Sequence, residues 1–454
     1  MSRLISLPVV LLLGLWLLLT ANPLQAQHRK GFVRVAGTHF YIDNARYTYL
    51  GTNLWYGMHL GIKGAEGNRA RLRRELDRLQ ALGITNLRIM AAAEGPDHEK
   101  YRMKPALQTA PGQYNKAVFK GLDYLLAQMA KRDMKAVVVL SNFWMWSGGF
   151  PQYRQWANGG QIPYPDIEGG GTWAPFIKYA QGFYTDTAAN ALFLDFIQAV
   201  INRRNKVTLR KYKNDPTIMA WQLANEPRGY RAHVAYRQWL NHTAAYIKAL
   251  DPHHLVSTGA EGNTGSADAG VDLLLDNQSP HIDYATTHVW IQNWQWYNPE
   301  KPTTYAHARQ MTASYLADQI AKANTLGKPL VLEEFGVSRN GGSCNPAAPT
   351  TTRDSFYTLL FEQAARHFGQ NGPLQGINFW SWGGEAKPAD AGGMWQPGQP
   401  LIGDPPHERQ GWYSVYQTDK STLAIIAKYA KQFAGAALTE VATSQQPAKA
   451  PASQ

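Results

Sequence analysis

Eight short runs rich in apolar and β-branched residues recur along the chain: TYLGTNLW (48–55), TNLRIMAA (85–92), KAVVVLSNF (135–143), TIMAWQLANE (217–226), HLVSTGAE (254–261), DYATTHVW (283–290), PLVLEEFG (329–336) and GINFWSWG (376–383). Runs of this kind read as strands. Between them lie patterns of helical period, such as RARLRRELDRLQALG and FKGLDYLLAQMAKRD. Alternating strands and helices argue for parallel strands, because each crossover has to carry the chain back along a helix. Eight such units are what a closed (β/α)8 TIM barrel requires. A doubly wound open sheet is the alternative architecture.

Ahead of the first run, GFVRVAGTHFYIDNARYTY alternates apolar and polar residues around Asp43-Asn44, which predicts an N-terminal β-hairpin. In a barrel that hairpin would plug the bottom. The stretch from Trp144 to Thr185 is rich in Gly, Pro, Trp and Tyr and follows the third strand, on the face where barrel loops build sites. The final segment, GAALTEVATSQQPAKAPASQ, is small and polar, and predicts a disordered tail over 436–454 behind a catalytic domain over 27–435.

Composition narrows the class. Of 454 residues, 44% are hydrophobic and 17% charged, the balance of a globular protein with a large core. The opening residues carry one Arg, an apolar run from Leu7 to Leu19 and a small-residue cleavage region at Leu24-Gln25-Ala26, so 1–26 reads as a secretory signal peptide. The apolar run is shorter than the ~20 residues of a spanning helix, so no stable membrane insertion is expected after signal removal. The location predicted is secreted or periplasmic. Cys344 is the single cysteine, so the core and not a disulfide framework must hold the chain. A net charge of +12 raises the question of nucleic acid, but the basic residues are scattered, as in RARLRRELDR and INRRNKVTLRKYK, and read as solvated helix faces. Nucleic acid is therefore not expected as a partner, while a long-range attraction to acidic surfaces stays open.

In a barrel, the residues where strands run out into the following loops ring the open top. In chain order these are Trp55 and Tyr56, Arg88, Asn142 and Trp144, Asn225 and Glu226, Glu261, His288 and Trp290, Glu333 and Glu334, then Trp380 and Trp382. Such a lining suits a neutral polyol with flat apolar faces, since indoles stack on C–H faces while polar groups bind hydroxyls. Two carboxylates from different strands are also the minimum equipment for glycoside hydrolysis, one to protonate the leaving oxygen and one to attack or stabilise the anomeric carbon. Glu226 is the better acid candidate, because Pro227 biases it toward extended backbone and Asn225 beside it can bond a hydroxyl. Its structural alternative is a loop carboxylate pairing with Arg228 or Arg231. Glu333 and Glu334 are adjacent, strand alternation sends them to opposite sides, and periodicity does not choose between them.

The motifs ANEP and EEFG, in that order and in the longer forms WQLANEPRG, THVWIQNWQWY, PLVLEEFGVSR and NFWSWGG, resemble glycoside hydrolase family 5, a group of retaining (β/α)8 enzymes. The likeness spans about residues 30 to 435 and is strongest to the endo-β-1,4-mannanase subfamily. It implies Glu226 as acid/base, Glu334 as nucleophile, Arg88 keeping the nucleophile ionised, Asn225 at the 2-hydroxyl, His288 as support, and Trp380 as the platform under the sugar. Trp290 stands where many members carry Tyr, as in the mannanase-like members, and Asn142 stands where many carry His. Trp290 joins the supporting residues, and Trp55, Tyr56, Trp144, Trp294 and Trp382 are candidate substrate contacts.

No GxGxxG, P-loop, HExxH or CxxC pattern is present, so neither a cofactor nor a metal is expected. The reading is a retaining, endo-acting hydrolase of β-1,4-mannosidic linkages in mannan, glucomannan or galactomannan, a monomer whose partner is the polysaccharide. The alternatives are an endo-β-1,4-glucanase and a non-catalytic polysaccharide-binding barrel.

Overall fold

The computed structural model describes residues 31–444, so the segment read as a signal peptide lies outside the described residues. All eight runs form parallel strands of one sheet: Tyr49–Asn53, Asn86–Met90, Lys135–Val139, Ile218–Gln222, Leu255–Ser257, Ala285–Val289, Leu330–Phe335 and Leu374–Phe379. Numbered first to eighth in that sequence, they pair in the order fifth, fourth, third, second, first, eighth, seventh, sixth. The fifth and sixth meet through a single parallel bridge between Ser257 and Tyr284, and Asp283 N donates to Val256 O at 2.8 Å. The result is a nearly closed (β/α)8 barrel. Every strand is buried along its whole length, since one face fills the barrel and the other meets helices. That double burial is why the strands stand out as apolar runs.

Local chemistry starts and stops the helices. Asn68 and Asn115 cap Arg69–Ala81 and Lys116–Ala130, their side chains accepting the amides of Arg71 and Ala117 at 2.9 Å. The helix Tyr305–Leu326 ends on Gly327 in the left-handed conformation. Among the described residues no helix is long and apolar enough to cross a membrane.

The N-terminal hairpin is a three-stranded antiparallel sheet, Val33–Ala36, His39–Ile42 and Ala45–Arg46. The turn at Asp43-Asn44 is where the alternation placed it, and Gly37, at φ 56, makes a second turn that the alternation runs through unmarked. Val33, Phe40 and Ile42 pack with Tyr49, Val137, Met219, Leu255, Tyr284 and Val331 from the starts of the strands, closing the bottom.

Three other expectations change. The stretch after the third strand is not a bare loop, because it holds the helices Gly149–Asn158 and Ala174–Gln181. The tail expected to be disordered from 436 continues as the helix Lys420–Ser444, because Ala, Leu and Glu in GAALTEV favour helix more than their small size and polarity suggest. Only 445–454 of it lies outside the described residues. Of the two basic stretches, RARLRRELDR is a helix whose Arg71 and Glu75 turn inward as an ion pair at 3.1 Å. INRRNKVTLRKYK leaves its helix at Ile201 and becomes a loop.

Candidate active site

Strand ends from around the barrel converge on Arg88. Its Nε donates to Gln222 Oε1 at 2.7 Å, its Nη2 to Asn225 Oδ1 at 2.9 Å, and its Nη1 to Asn53 Oδ1 at 3.2 Å and to Glu334 Oε1. Gln222 Nε2 in turn donates to both oxygens of Glu333, at 2.9 Å and 2.8 Å. The adjacent glutamates therefore do not take opposite sides. Thr287 pairs with Leu332 and His288 with Glu334, which leaves Glu333 as an extra, bulged residue and lets both carboxylates reach the inner network.

Glu226 stands at φ 48, in the left-handed region, and not in the extended form expected before proline. A non-glycine residue held there costs about 1–3 kcal/mol and persists only where its surroundings enforce it. Three hydrogen bonds do so: Glu226 N donates to Gly259 O at 3.0 Å, His288 Nδ1 donates to Oε1 at 2.8 Å, and Trp144 Nε1 donates to Oε2 at 2.7 Å. Arg228, the partner that the structural alternative gave Glu226, instead grips Glu261 through two bonds, at 2.5 Å and 2.8 Å, and lies 4.9 Å above the Trp144 ring.

One imidazole serves three carboxylates. Burial alone would lower His288, but Glu334, Glu226 and Glu333 around it raise it to about 10, so both ring nitrogens are protonated at neutral pH. Burial alone would raise Glu226, yet the hydrogen bond and charge of His288, with Arg228 behind, hold it down at about 2. Burial lifts Glu334 to about 8 against the opposing pull of His288 and Arg88. Nδ1 of His288 lies 2.8 Å from Glu226 and 3.4 Å from Glu334, so the two glutamates titrate through a shared neighbour as one unit. Glu226, Glu261 and His288 bring potential ligand atoms within 4.8 Å of one another. A protonated imidazole has no lone pair for a metal, and Arg228 already occupies Glu261, so the trio is poorly suited to a cation.

Of the remaining sequence candidates, Trp380 and Trp290 pack edge to face with ring centroids 6.1 Å apart. Trp55, Tyr56 and Trp382 have their polar atoms engaged by the protein itself. All three are fully buried, with Trp55 Nε1 donating to Gly403 O at 2.7 Å, Tyr56 OH to Trp382 O at 2.8 Å, and Trp382 Nε1 to Glu75 at 3.0 Å. Trp294 packs with Trp296 and Tyr315, its ring 4.9 Å and 5.2 Å from theirs. The segment that covers Trp55 follows the eighth strand and brings in two residues the sequence reading did not single out, His407 and Glu408. His407 stacks on Trp146, whose ring lies 6.4 Å from Trp380. Burial pushes the Glu408 carboxyl up, and the nearby charges of Asp404, Glu334 and Glu226 push it in the same direction. The stretch DPPHERQ has no period to reveal it, and its only sequence signal was its place after the last strand.

A barrel whose top gathers an acidic pair, a charged histidine and indoles defines a carbohydrate-active enzyme of the glycoside hydrolase class. A family model described as "GH family 5 beta-mannosidase-like" matches residues 30–437, and the chain belongs to that family. It is 30% identical over 366 residues to mannan endo-1,4-beta-mannosidase 5 of Solanum lycopersicum, covering 77% of this chain and 81% of the relative. To mannan endo-1,4-beta-mannosidase 7 of Arabidopsis thaliana it is 29% identical over 387 residues, 82% of either chain. Among solved structures, a glycoside hydrolase family 5 mannosidase from Rhizomucor miehei superposes with a TM-score of 0.82 at 38% identity, covering 90% of this chain and 99% of that one.

Proposed function

We propose that this protein is an exported, monomeric, retaining hydrolase of β-1,4-mannosidic linkages in mannan, glucomannan or galactomannan, cutting internally as the names of its plant relatives describe. The observation that carries the reading is the single His288 nitrogen shared by Glu226 and Glu334. An oxygen of each carboxylate close to one atom favours the short spacing of about 5–5.5 Å that direct attack uses over the ~6.5–9.5 Å that holds a water between them. Glu334 attacks the anomeric carbon while Glu226 protonates the departing oxygen. Glu226, now a carboxylate, then deprotonates the water that releases the glycosyl-enzyme.

The two shifts run opposite to the resting roles: against burial, His288 and Arg228 hold Glu226 down, while burial holds Glu334 up in spite of His288 and Arg88. Attack therefore requires Glu226 to gain a proton and Glu334 to lose one, and His288 Nδ1, 2.8 Å from the first and 3.4 Å from the second, lies between them.

One observation favours a second reading, release of mannosyl units from a chain end. The segment after the eighth strand is pinned to the barrel, Trp55 Nε1 and Ser381 Oγ both donating to Gly403 O at 2.7 Å and 2.5 Å, and it carries Glu408 near the two glutamates, the place from which one end of a cleft would be closed. Product sizes from a manno-oligosaccharide series decide between the two. Mixed short products mark internal cutting, and mannose alone marks chain-end release. Absence of activity on every mannoside, with activity on carboxymethylcellulose, would overturn both in favour of the glucanase.

A further inference from the structure

The loop 202–214 joins the helix Thr187–Ile201 to the fourth strand, and so lies at the bottom of the barrel, opposite the glutamates. It contains Arg203, Arg204, Lys206, Arg210, Lys211 and Lys213 and no carboxylate. Its shape is tightly built. Buried Asn205 donates to Asp123 O at 3.0 Å, and its Oδ1 accepts the amides of Val207 at 2.8 Å and Thr208 at 3.1 Å. Arg203 and Tyr212 tie the two ends to the Asp123 carboxylate at 2.6 Å and 2.7 Å. Arg204 Nη1 donates to Leu209 O at 2.7 Å, bracing the tip from within.

What this frame holds out is apolar. Val207 is 48% exposed and Leu209 64% exposed, among the few large aliphatic residues so presented. Leu209 stands at φ 60, a left-handed conformation unfavourable for a bulky side chain. Around them Asp123 neutralises Arg203, and Arg210 lies 4.0 Å from Asp215. Arg204, Lys206 and Lys211 face no carboxylate among the described residues. Neither the core nor the catalytic face uses this tip.

We propose that the loop 202–214 docks the protein onto an anionic lipid surface, with Val207 and Leu209 entering between head groups and the surrounding cations meeting the phosphates. The aliphatic pair selects this partner over a soluble polyanion. Cations alone would serve the polyanion, whereas apolar tips ringed by cations match a surface that is charged outside and apolar beneath. Docked in this way, the barrel turns its open top away from the membrane, toward polysaccharide in solution. The inference does not depend on which bond the enzyme cuts.

The test uses the chain from residue 27 onward and flotation with vesicles of phosphatidylcholine alone or mixed equally with phosphatidylglycerol. The wild type is expected to float with the anionic vesicles only, and to be released by salt. Exchanging Lys206, Arg210 and Lys211 for Glu lowers partitioning by about a hundredfold or more, since each cation is worth roughly fivefold at such a surface. The milder pair Val207→Ser and Leu209→Ser lowers it about tenfold while leaving every charge in place. Turnover of a soluble substrate stays unchanged in all of them. The proposal is overturned if the wild type does not bind anionic vesicles, or if the loop variants bind as well as it does. It is equally overturned if heparin competes fully and the serine pair binds like wild type, which would make the loop a general polyanion site.

Discussion

In the proposed mechanism Glu226 and Glu334 take different parts: both lie against His288, while Trp144 also holds the first and Arg88 the second. Glu226→Gln is expected to lower kcat/KM on an unactivated manno-oligosaccharide by about 10²–10⁴-fold, with a smaller loss on an aryl mannoside whose leaving group needs no proton. Glu334→Gln should abolish turnover on both substrates, and equal activity of that variant and the wild type would exclude the mechanism. The shared protons set the pH response. As pH rises through about 8 the unit loses the proton on Glu334 that recharges Glu226, so kcat/KM of the free enzyme should fall on that limb. For stability the sign is the same: His288, raised from 6.5 to about 10, contributes stability fully present below pH 6.5 and lost as pH passes about 10. Residue type and order put Asn225 and Glu226 at one strand end and the pair Glu333-Glu334 at another, and only the family resemblance chose Glu334 from the pair and gave Arg88 its role. They could not mark the inward turn of Glu333, because a bulge is a property of two paired strands, or the left-handed Glu226, because three tertiary hydrogen bonds override the local preference before Pro227.

At the scale of elements, one carboxylate ties the segment after the eighth strand to itself. Buried Asp404 accepts the amides of Gly411 at 2.9 Å and Tyr413 at 2.6 Å, and the hydroxyl of Ser414. Asp404→Ala leaves those donors unmet, at about 1–3 kcal/mol for each buried one. It should lower the melting temperature and raise KM, and if the segment walls the cleft, products should shift toward longer fragments. A second anchor, Glu94, accepts Gly149 N at 2.9 Å, and Tyr153 OH donates to it at 3.3 Å. Burial raises it from 4.5 to about 7. Its stabilising protonation is complete below pH 4.5 and lost as pH rises through about 7, so Glu94→Gln should flatten the stability profile across that window in thermal melts. Neither anchor was legible beforehand. A buried carboxylate inside a long connection has no period, and its partners lie either several residues along the same irregular segment, as for Asp404, or in another part of the chain, as for Glu94.

For the molecule as a whole, the three-stranded sheet at the bottom is a stability element remote from the chemistry. Phe40 packs edge-on against Tyr284 with ring centroids 5.3 Å apart. Phe40→Ala should destabilise the fold by about 3–5 kcal/mol in denaturant titration while leaving kcat per folded molecule unchanged. The eight strands were readable from the chain alone because burial on both faces writes itself as continuous apolar runs, and the acidic pair because barrel loops place strand-end residues on one rim. Which aromatic residues meet substrate was not readable. Trp55, Tyr56 and Trp382 sit at strand ends like Trp380 and Trp290, yet their polar atoms are taken up by parts of the chain distant in sequence, Gly403, Trp382 and Glu75. Periodicity reports what each residue does to its own helix or strand. Whether a rim residue lines the cleft or lies beneath a cover depends on packing between segments far apart in the chain, and that was decided only when the barrel closed.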